Sequence, residues 1–210
     1  MADDGSAQSK NLWPLPKFYF EVKWDSEVMS FQEVSGLQIE MEELKYRAGD
    51  NLYVLAHNDE PLLEQIGEWF GREDARTLLL DKELRQLSKS MLRDIAKVSQ
   101  HETLKGLLKV SARKELEAYL YGRDMLDVLN DFCEPGQVSV EDLVEWLPNV
   151  LPRAYSIASH DHAGYVDLCI REVAYDMADR ARTGTATGHL VGPHPEAQVF
   201  VRSNPAFHLP

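Results

Sequence analysis

The spacing of apolar and polar residues changes twice along the chain. Within residues 17–55, apolar residues recur at every second position, as in KFYFEVKW and VMSFQEV, which predicts strands with one buried face. We expect a three-strand meander with turns at residues 25–26 and 35–36 and with LQIEMEELKY as its third strand. A turn at residues 49–50 then leads to a fourth strand, NLYVLA.

From Glu60 the apolar residues recur three and four positions apart, which predicts amphipathic helices. Examples are EPLLEQIGEWFG, DKELRQLSKSMLRDIAKVSQ and RKELEAYLYGRDMLDVLNDF. Asn58 and Asp59 before Pro61, and Ser139 before two acidic residues, are typical helix caps. Residues 59–150 are therefore predicted to be all-helical.

Strand patterns return after Pro152 in AYSIAS, YVDLCIREVAY and AQVFVRS, interrupted by a glycine and threonine cluster at residues 183–188. Strands on both sides of one long helical segment define an α+β protein. We expect an antiparallel β-barrel or sandwich with a large all-helical insertion.

Composition narrows the compartment and the partners. The chain has 44% hydrophobic residues, and its 35 acidic and 22 basic residues give a net charge of -13, which argues against a general nucleic-acid-binding surface. Cys133 and Cys169 lie far apart and lack metal or redox spacing. No apolar run approaches the roughly 20 residues of a membrane span, and the N-terminus lacks a signal-peptide pattern. We expect a cytoplasmic protein without a membrane span.

The segment LPRAYSIASH combines an arginine, an aromatic residue and a hydroxyl within an apolar run. Arg153 and Tyr155 fall on one face of a strand, where a guanidinium can pair with a phosphate and a ring can pack on a planar ligand, while Ser156 adds a hydroxyl. Gly184, with Thr185 and Thr187, offers backbone amides and hydroxyls to an anion. Such residues suit a nucleotide, but they equally suit a buried strand with a surface arginine and an ordinary loop.

A metal centre is not predicted. His160 and His162 are of the right residue type, but a third ligand is not near them in sequence, so a solvated turn is the better interpretation.

Several of these motifs, in order and at matching spacing, resemble one known family. LPRAYSIAS, YVDLCIREVAY, GTATGHL and VFVRSNPAFHLP are similar to the FAD-binding domain of NADPH-dependent diflavin reductases, which include the sulfite reductase flavoprotein and the microsomal cytochrome reductases. NDEPLLEQI and RDMLDVLNDF resemble the connecting segment of the same family. The resemblance covers residues 46–210 and implies a ferredoxin-reductase-like barrel that binds FAD.

The resemblance also implies roles for individual residues. Arg153 matches the arginine that pairs with the FAD pyrophosphate, Tyr155 the aromatic residue on the isoalloxazine, and Ser156 the hydroxyl near the flavin's polar edge. The other residues that the resemblance implies near the cofactor are Arg123, Ala154, Cys169, Ile170, Arg171 and Tyr175, the last as an adenine-stacking partner, and Gly184, Thr185, Ala186 and Thr187 of the pyrophosphate loop. Arg171 departs from the small or apolar residue expected there.

The family's other domains are not expected in this chain, which stops at Pro210, just after the FHLP that leads into the NADPH-binding domain. An FMN domain is not visible before the FAD-like region either. The expected partners are therefore a redox partner protein or a separate NADPH-binding domain.

Near the N-terminus, PLPKFYFEVKWDSEVMSFQEVSGLQIEMEELKYRAGD is similar to the opening of tail tube proteins of contractile injection systems and phages. We therefore expect a chimera, with a flexible arm at 1–16, tube-like strands at 17–58 that complete the barrel, a helical connecting segment at 59–150 and FAD-binding strands at 151–210. The primary expectation is an FAD-dependent electron-transfer module. The alternative is a structural tube subunit that self-assembles through its N-terminal strands.

Overall fold

The structure is a computed structural model that describes residues 19–21, 34–40, 45–160, 165–191 and 196–207, with the side chains of residues 19–21, 34–40, 196 and 197 left out of the description. Much of the predicted N-terminal meander, the arm at 1–16, and His162 lie outside the described residues. The fold is a mixture of helix and antiparallel sheet, which confirms the α+β class.

The strands form three antiparallel groups within the described residues. They are β1 (Tyr19–Glu21), β2 (Val34–Glu40), β3 (Asn51–Leu55), β4 (Arg153–Ser156), β5 (Tyr165–Arg171), β6 (Ala174–Met177), β7 (Arg180–Thr183) and β8 (Glu196–Arg202). One sheet has the order β1-β8-β3-β4, while β2 pairs with β5 and β6 pairs with β7. Just after β4, Ile157 forms a bridge with Leu168 of β5, and Ala158 N donates to the Asp167 carbonyl, so this segment links the first sheet to β5. In these parts of the chain the sheets do not close into a barrel, so the barrel itself stays a prediction.

The helices lie between β3 and β4, with one further helix before β8. They are α1 (Glu60–Phe70), α2 (Ala75–Leu79), α3 (Lys89–Ser99), α4 (Glu102–Leu107), α5 (Arg113–Leu120), α6 (Met125–Phe132), α7 (Val140–Trp146) and α8 (Thr185–Val191). The predicted caps are present. Asp59 accepts a hydrogen bond from Leu62 N at the start of α1, and Ser139 forms a capping box with Asp142 at the start of α7.

The predicted turn at residues 35–36 is wrong, while the second strand of the predicted meander lies almost wholly outside the described residues. β1 pairs with β8 and β2 with β5, and Ser35 and Gly36, predicted as a turn, lie inside β2 opposite Ile170 and Cys169. Alternation identifies a strand with one buried face but does not identify its partner. A distant partner strand therefore overrides the local turn preference of Ser35 and Gly36.

Two other predicted elements are shorter than expected. The predicted helix at 81–100 begins only at Lys89, because the Glu83 carboxylate accepts hydrogen bonds from the backbone N–H of Arg85 and Gln86 and holds a turn there. The predicted strand YVDLCIREVAY divides into β5 and β6. At the break, the carbonyl of Val173 accepts a hydrogen bond from Gly184 N.

Apolar side chains form two separate buried clusters. The larger lies among the helices and includes Leu63, Ile66, Leu92 and Leu129. The smaller is built on the sheets from Tyr46, Leu52, Val54, Ile157, Val166, Leu168, Ile170, Leu190 and Val199. The two clusters share no residue. Polar contacts between the helical segment and the sheets are therefore important for holding the two parts together.

The turn where the two sequence resemblances meet is anchored to the C-terminal strands. The Tyr46 hydroxyl donates to the carbonyl of His160 at 2.8 Å and lies 3.1 Å from the Ser159 hydroxyl. Gly49 has a φ of 89°, and a Cβ there would lie 2.4 Å from the Phe207 ring. Asp50 is buried and accepts from Asn204 N at 3.0 Å. These contacts fix the turn to the reductase-like part of the chain.

A buried ionic cluster joins the helical segment to β7. Asp124 and Asp127, which form a capping box at the start of α6, pair with Arg180 and Arg182. The Asp127 carboxylate accepts from Arg180 Nη2 at 2.7 Å and from Arg182 Nη2 at 2.9 Å. The side chains of Arg182, Asp124 and Asp127 are each at most 5% exposed, so water contributes little to their solvation.

Removing one member of this cluster leaves charges buried without partners, which costs about 3–5 kcal/mol. We expect Asp127→Ala to lower the free energy of unfolding by about that amount in urea titrations. Glu117→Ala, which breaks an exposed pair with Arg113, is the matched control and should leave the midpoint nearly unchanged. Equal losses in the two variants would contradict the assignment of the cluster as the main tie.

Candidate functional site

The predicted site centres on β4, at the edge of the first sheet. Arg153 is opposite Val54 and Tyr155 is opposite Leu52, so both lie on the sheet face that carries the smaller cluster. Tyr155 is half-buried against that cluster, and burial raises the pKa of its phenol. Arg153 is exposed and makes no ion pair with any residue that the structure describes. It is therefore available to an anionic ligand.

Ala154 and Ser156 lie on the opposite face of β4. Ala154 is opposite Tyr53, whose ring stacks on Phe200 with centroids 4.8 Å apart. Ser156 is opposite Asn51, and its hydroxyl donates to Asn51 Oδ1 at 3.4 Å. The strand thus separates Ser156 from Arg153 and Tyr155, and a ligand that touches all three has to reach around the end of β4.

The loop at residues 184–187 is tightly packed and requires its glycine. A Cβ on Gly184 would lie 2.5 Å from the Thr187 hydroxyl and 3.0 Å from Val173 Cβ. The Thr187 side chain is buried, and its hydroxyl accepts from Val173 N at 3.4 Å. Thr185 and Ala186 are partly exposed. Thr187 therefore shapes the loop, and the Thr185 hydroxyl is the one closer to solvent.

The smaller cluster brings this loop towards β4. Leu190 of α8 is fully buried in the same cluster as Leu52 and Val54, against which Tyr155 packs. Tyr155 of β4 and Leu190 of α8 therefore contact the same apolar cluster. Tyr155 packs against this cluster, Arg153 lies on the same face of β4, and the 184–187 loop leads into α8, whose Leu190 belongs to the cluster.

The predicted adenine contacts form a second group. The Tyr175 hydroxyl donates to the carbonyl of Gly122 at 3.2 Å, and this glycine precedes Arg123. Arg123 lies between α5 and α6, where its guanidinium is 4.6 Å from the Tyr119 ring centroid and 3.2 Å from the Asp131 carboxylate. The fold brings Arg123 and Tyr175 into one neighbourhood, but Arg123 is held by the helical segment.

The three β5 candidates have different environments. Cys169 and Arg171 are exposed, whereas the Ile170 side chain is 1% exposed and part of the core. Ile170 can therefore contact a ligand only through its backbone. The second cysteine, Cys133, is half-buried, and burial raises the pKa of its thiol to about 11, which makes it a poor nucleophile.

Sequence reasoning missed three arginines near this site. Arg180 and Arg182 belong to the buried ionic cluster and lie on β7, directly before the 184–187 loop. Arg85, in the turn before α3, donates to the Thr185 hydroxyl at 3.0 Å. The signal for the first two was an acidic pair spaced three apart, Asp124 and Asp127, which lies inside the predicted helical stretch RKELEAYLYGRDMLDVLNDF and in the structure caps α6. No local pattern marks Arg85.

These residues fit a flavin dinucleotide. Arg153, which makes no ion pair with the described residues, and the half-buried ring of Tyr155 share one face of β4, and Arg85 Nε is buried with no partner among the described side chains. A metal centre has no support in the described residues, where no group of three His, Cys, Asp or Glu side chains could hold an ion. No helix in the described parts of the chain is long and apolar enough to cross a membrane.

Comparison with known proteins confirms both resemblances expected from the sequence. The chain is similar in sequence to curated reductase flavoproteins. The model of the T4-like virus tail tube protein gp19 family matches residues 16–58.

The relatives in question are the flavoprotein alpha-components of NADPH sulfite reductase. The chain is 32% identical to that of Mannheimia succiniciproducens over 80% of its own length and 30% of the relative's. It is 30% identical to that of Bacillus subtilis over 83% of the chain and 32% of the relative, and 29% identical to that of Serratia proteamaculans over 86% and 33%. The chain spans about a third of the length of these relatives.

The close packing at Gly184 can be tested by itself. We expect Gly184→Ala to lower the free energy of unfolding by about 1–3 kcal/mol, because the new methyl group displaces Thr187 or Val173. Gly106→Ala in α4 is the control, since no atom lies within 4 Å of its added Cβ and alanine favours a helix by about 0.5–1 kcal/mol. Chemical denaturation measures both, and an unaffected Gly184→Ala variant would contradict the close packing.

Proposed function

We propose that this chain is the FAD-binding electron-transfer module of a diflavin-reductase-type oxidoreductase. Arg153 pairs with the pyrophosphate, Tyr155 packs on the flavin ring, and the 184–187 loop with Thr185 borders the phosphates. When bound, FAD supplies the redox chemistry, and the protein's residues bind it, orient it and shield it. The module acts as part of an FAD-dependent NADPH oxidoreductase of the sulfite or cytochrome reductase type.

The observation that carries this proposal is Arg153, which makes no ion pair within the described parts of the chain, beside the half-buried Tyr155. An exposed arginine on a strand edge normally contributes little to stability, but its position next to an aromatic ring on an apolar base suits a ligand with a phosphate and a planar ring. The similarity to sulfite reductase flavoproteins over at least 80% of the chain supports the same ligand class.

The roles proposed for the two parts of the chain correspond to the two apolar clusters. Strands at 17–58 and 151–210 form the flavin-binding part, and residues 59–150 form a helical connecting segment. NADPH is served by a separate domain or subunit, and electrons pass to a redox partner protein in the cytoplasm. Nucleic acid is not a partner, because the net charge is -13.

Visible absorption of the purified protein with and without added FAD tests this proposal. We expect flavin bands that survive desalting in the unmodified protein, and a tenfold to hundredfold loss of FAD affinity in Arg153→Ala, because a charge-assisted contact is lost. Arg113→Ala, which removes an exposed arginine of α5, is the control and should retain FAD. Flavin content that is unchanged in Arg153→Ala, or absent from the unmodified protein, would refute the assignment.

A structural subunit of an injection tube is the second candidate, favoured by the tail tube model that matches residues 16–58. In this case the N-terminal strands mediate stacking of subunits, and the remaining residues have no role in assembly. Strands with unpaired edges are able to promote such assembly.

Electron microscopy distinguishes the second candidate from the first. If the tube function holds, the purified protein forms rings or filaments, and charge reversal at Lys17 and Lys23 disperses them through like-charge repulsion. Charge reversal at Lys89 and Lys114, two lysines of the helical segment, is the control. A protein without rings or filaments, or filaments that persist after the Lys17 and Lys23 reversal, would count against this candidate.

A further inference from the structure

Arg85 makes an unusual set of contacts for a residue in a turn. Its Nη2 pairs with Asp59 Oδ2, its Nη1 donates to Thr185 Oγ1 at 3.0 Å, and its Nε is buried without a partner in the described part of the chain. The side chain is 15% exposed, and its backbone N–H is bound by Glu83 at 2.9 Å. Both ends of this arginine are thus fixed.

Asp59 fixes the guanidinium from the other side. One oxygen of its carboxylate caps α1 by accepting from Leu62 N at 2.9 Å, and the other pairs with Arg85. Since the cap holds the carboxylate, the guanidinium plane has little freedom to rotate. The Arg85 Nη1–H therefore meets the Thr185 hydroxyl in a defined direction.

This contact determines what the Thr185 hydroxyl can do. A hydroxyl has one donor and two acceptor positions, and an arginine can only donate. When Arg85 occupies an acceptor position of Thr185 Oγ1, the hydroxyl proton has to point elsewhere. Because Thr185 borders the proposed phosphate site, that proton becomes a donor to a ligand oxygen, and its bond is strengthened by the charge behind it.

We propose that Arg85 is a positioning residue that orients the Thr185 hydroxyl towards the pyrophosphate of the bound dinucleotide. This inference rests on the proposed FAD-binding function and adds a residue from the helical segment to it. The contribution of Arg85 to affinity passes through Thr185, so removing either residue should have the same effect, and removing both should add little.

Flavin titrations of the full chain, followed by fluorescence quenching, test this coupling. We expect Arg85→Gln and Thr185→Val each to weaken FAD binding roughly five- to tenfold, and the double variant to be no more than about twofold weaker than either. Thr185→Ser keeps the hydroxyl and should bind FAD as the unmodified protein does. Arg76→Gln, which breaks an exposed pair with Glu60, is the matched arginine control.

A second ligand separates positioning from general support of the fold. Riboflavin has the flavin ring without phosphates, so its affinity should be equal in Arg85→Gln and in the unmodified protein. Additive losses of FAD affinity in the double variant, an equal loss for riboflavin, or FAD affinity that is unchanged in Arg85→Gln would overturn the inference. Failure of the unmodified protein to bind FAD would instead overturn the proposed function, and this inference with it.

Discussion

The buried ionic cluster is the interaction on which the rest of the structure depends. The helices and the sheets each have their own apolar cluster, and hydrogen bonds and ion pairs tie the helical segment to the β6–β7 hairpin and the following loop. Asp124 and Asp127 at the start of α6 pair with Arg180 and Arg182 of β7. Desolvated charges are stabilised only when each has its partner at close range, so few arrangements of the two parts satisfy this cluster.

The position of the candidate site follows from this constraint. β7 leads directly into the 184–187 loop, so the cluster fixes the point from which that loop departs. The carbonyl of Gly122 strengthens the same junction, because it accepts hydrogen bonds from both Tyr175 and Arg182. Arg85 adds a third tie through Thr185. The helical segment, which contributes no strand to the sheets, thereby sets the geometry of the loop.

Elements with local causes were predictable from the sequence, and elements with distant causes were not. Asp59 and Ser139 cap helices because their side chains reach backbone N–H groups three residues away, and such spacing is visible in sequence. The strand partner of Ser35 and Gly36 is not visible, since it lies more than 130 residues away. Arg182 was unpredictable for the same reason: a strand pattern such as RART normally exposes its arginines, and only the remote carboxylates make burial of this one favourable.

The tube-like segment shows how one strand pattern can serve two folds. The described pieces of this segment, β1 and β2, pair with β8 and β5, and both partners belong to the reductase-like region. A sheet edge offers backbone N–H and C=O groups to any strand of suitable length, and the side chains need only alternate correctly. After β2, Tyr46 binds the His160 carbonyl and Gly49 lies against Phe207. Backbone pairing therefore places few demands on the sequences of β1 and β2, whereas the turn at residues 46–50 is specified by its neighbours.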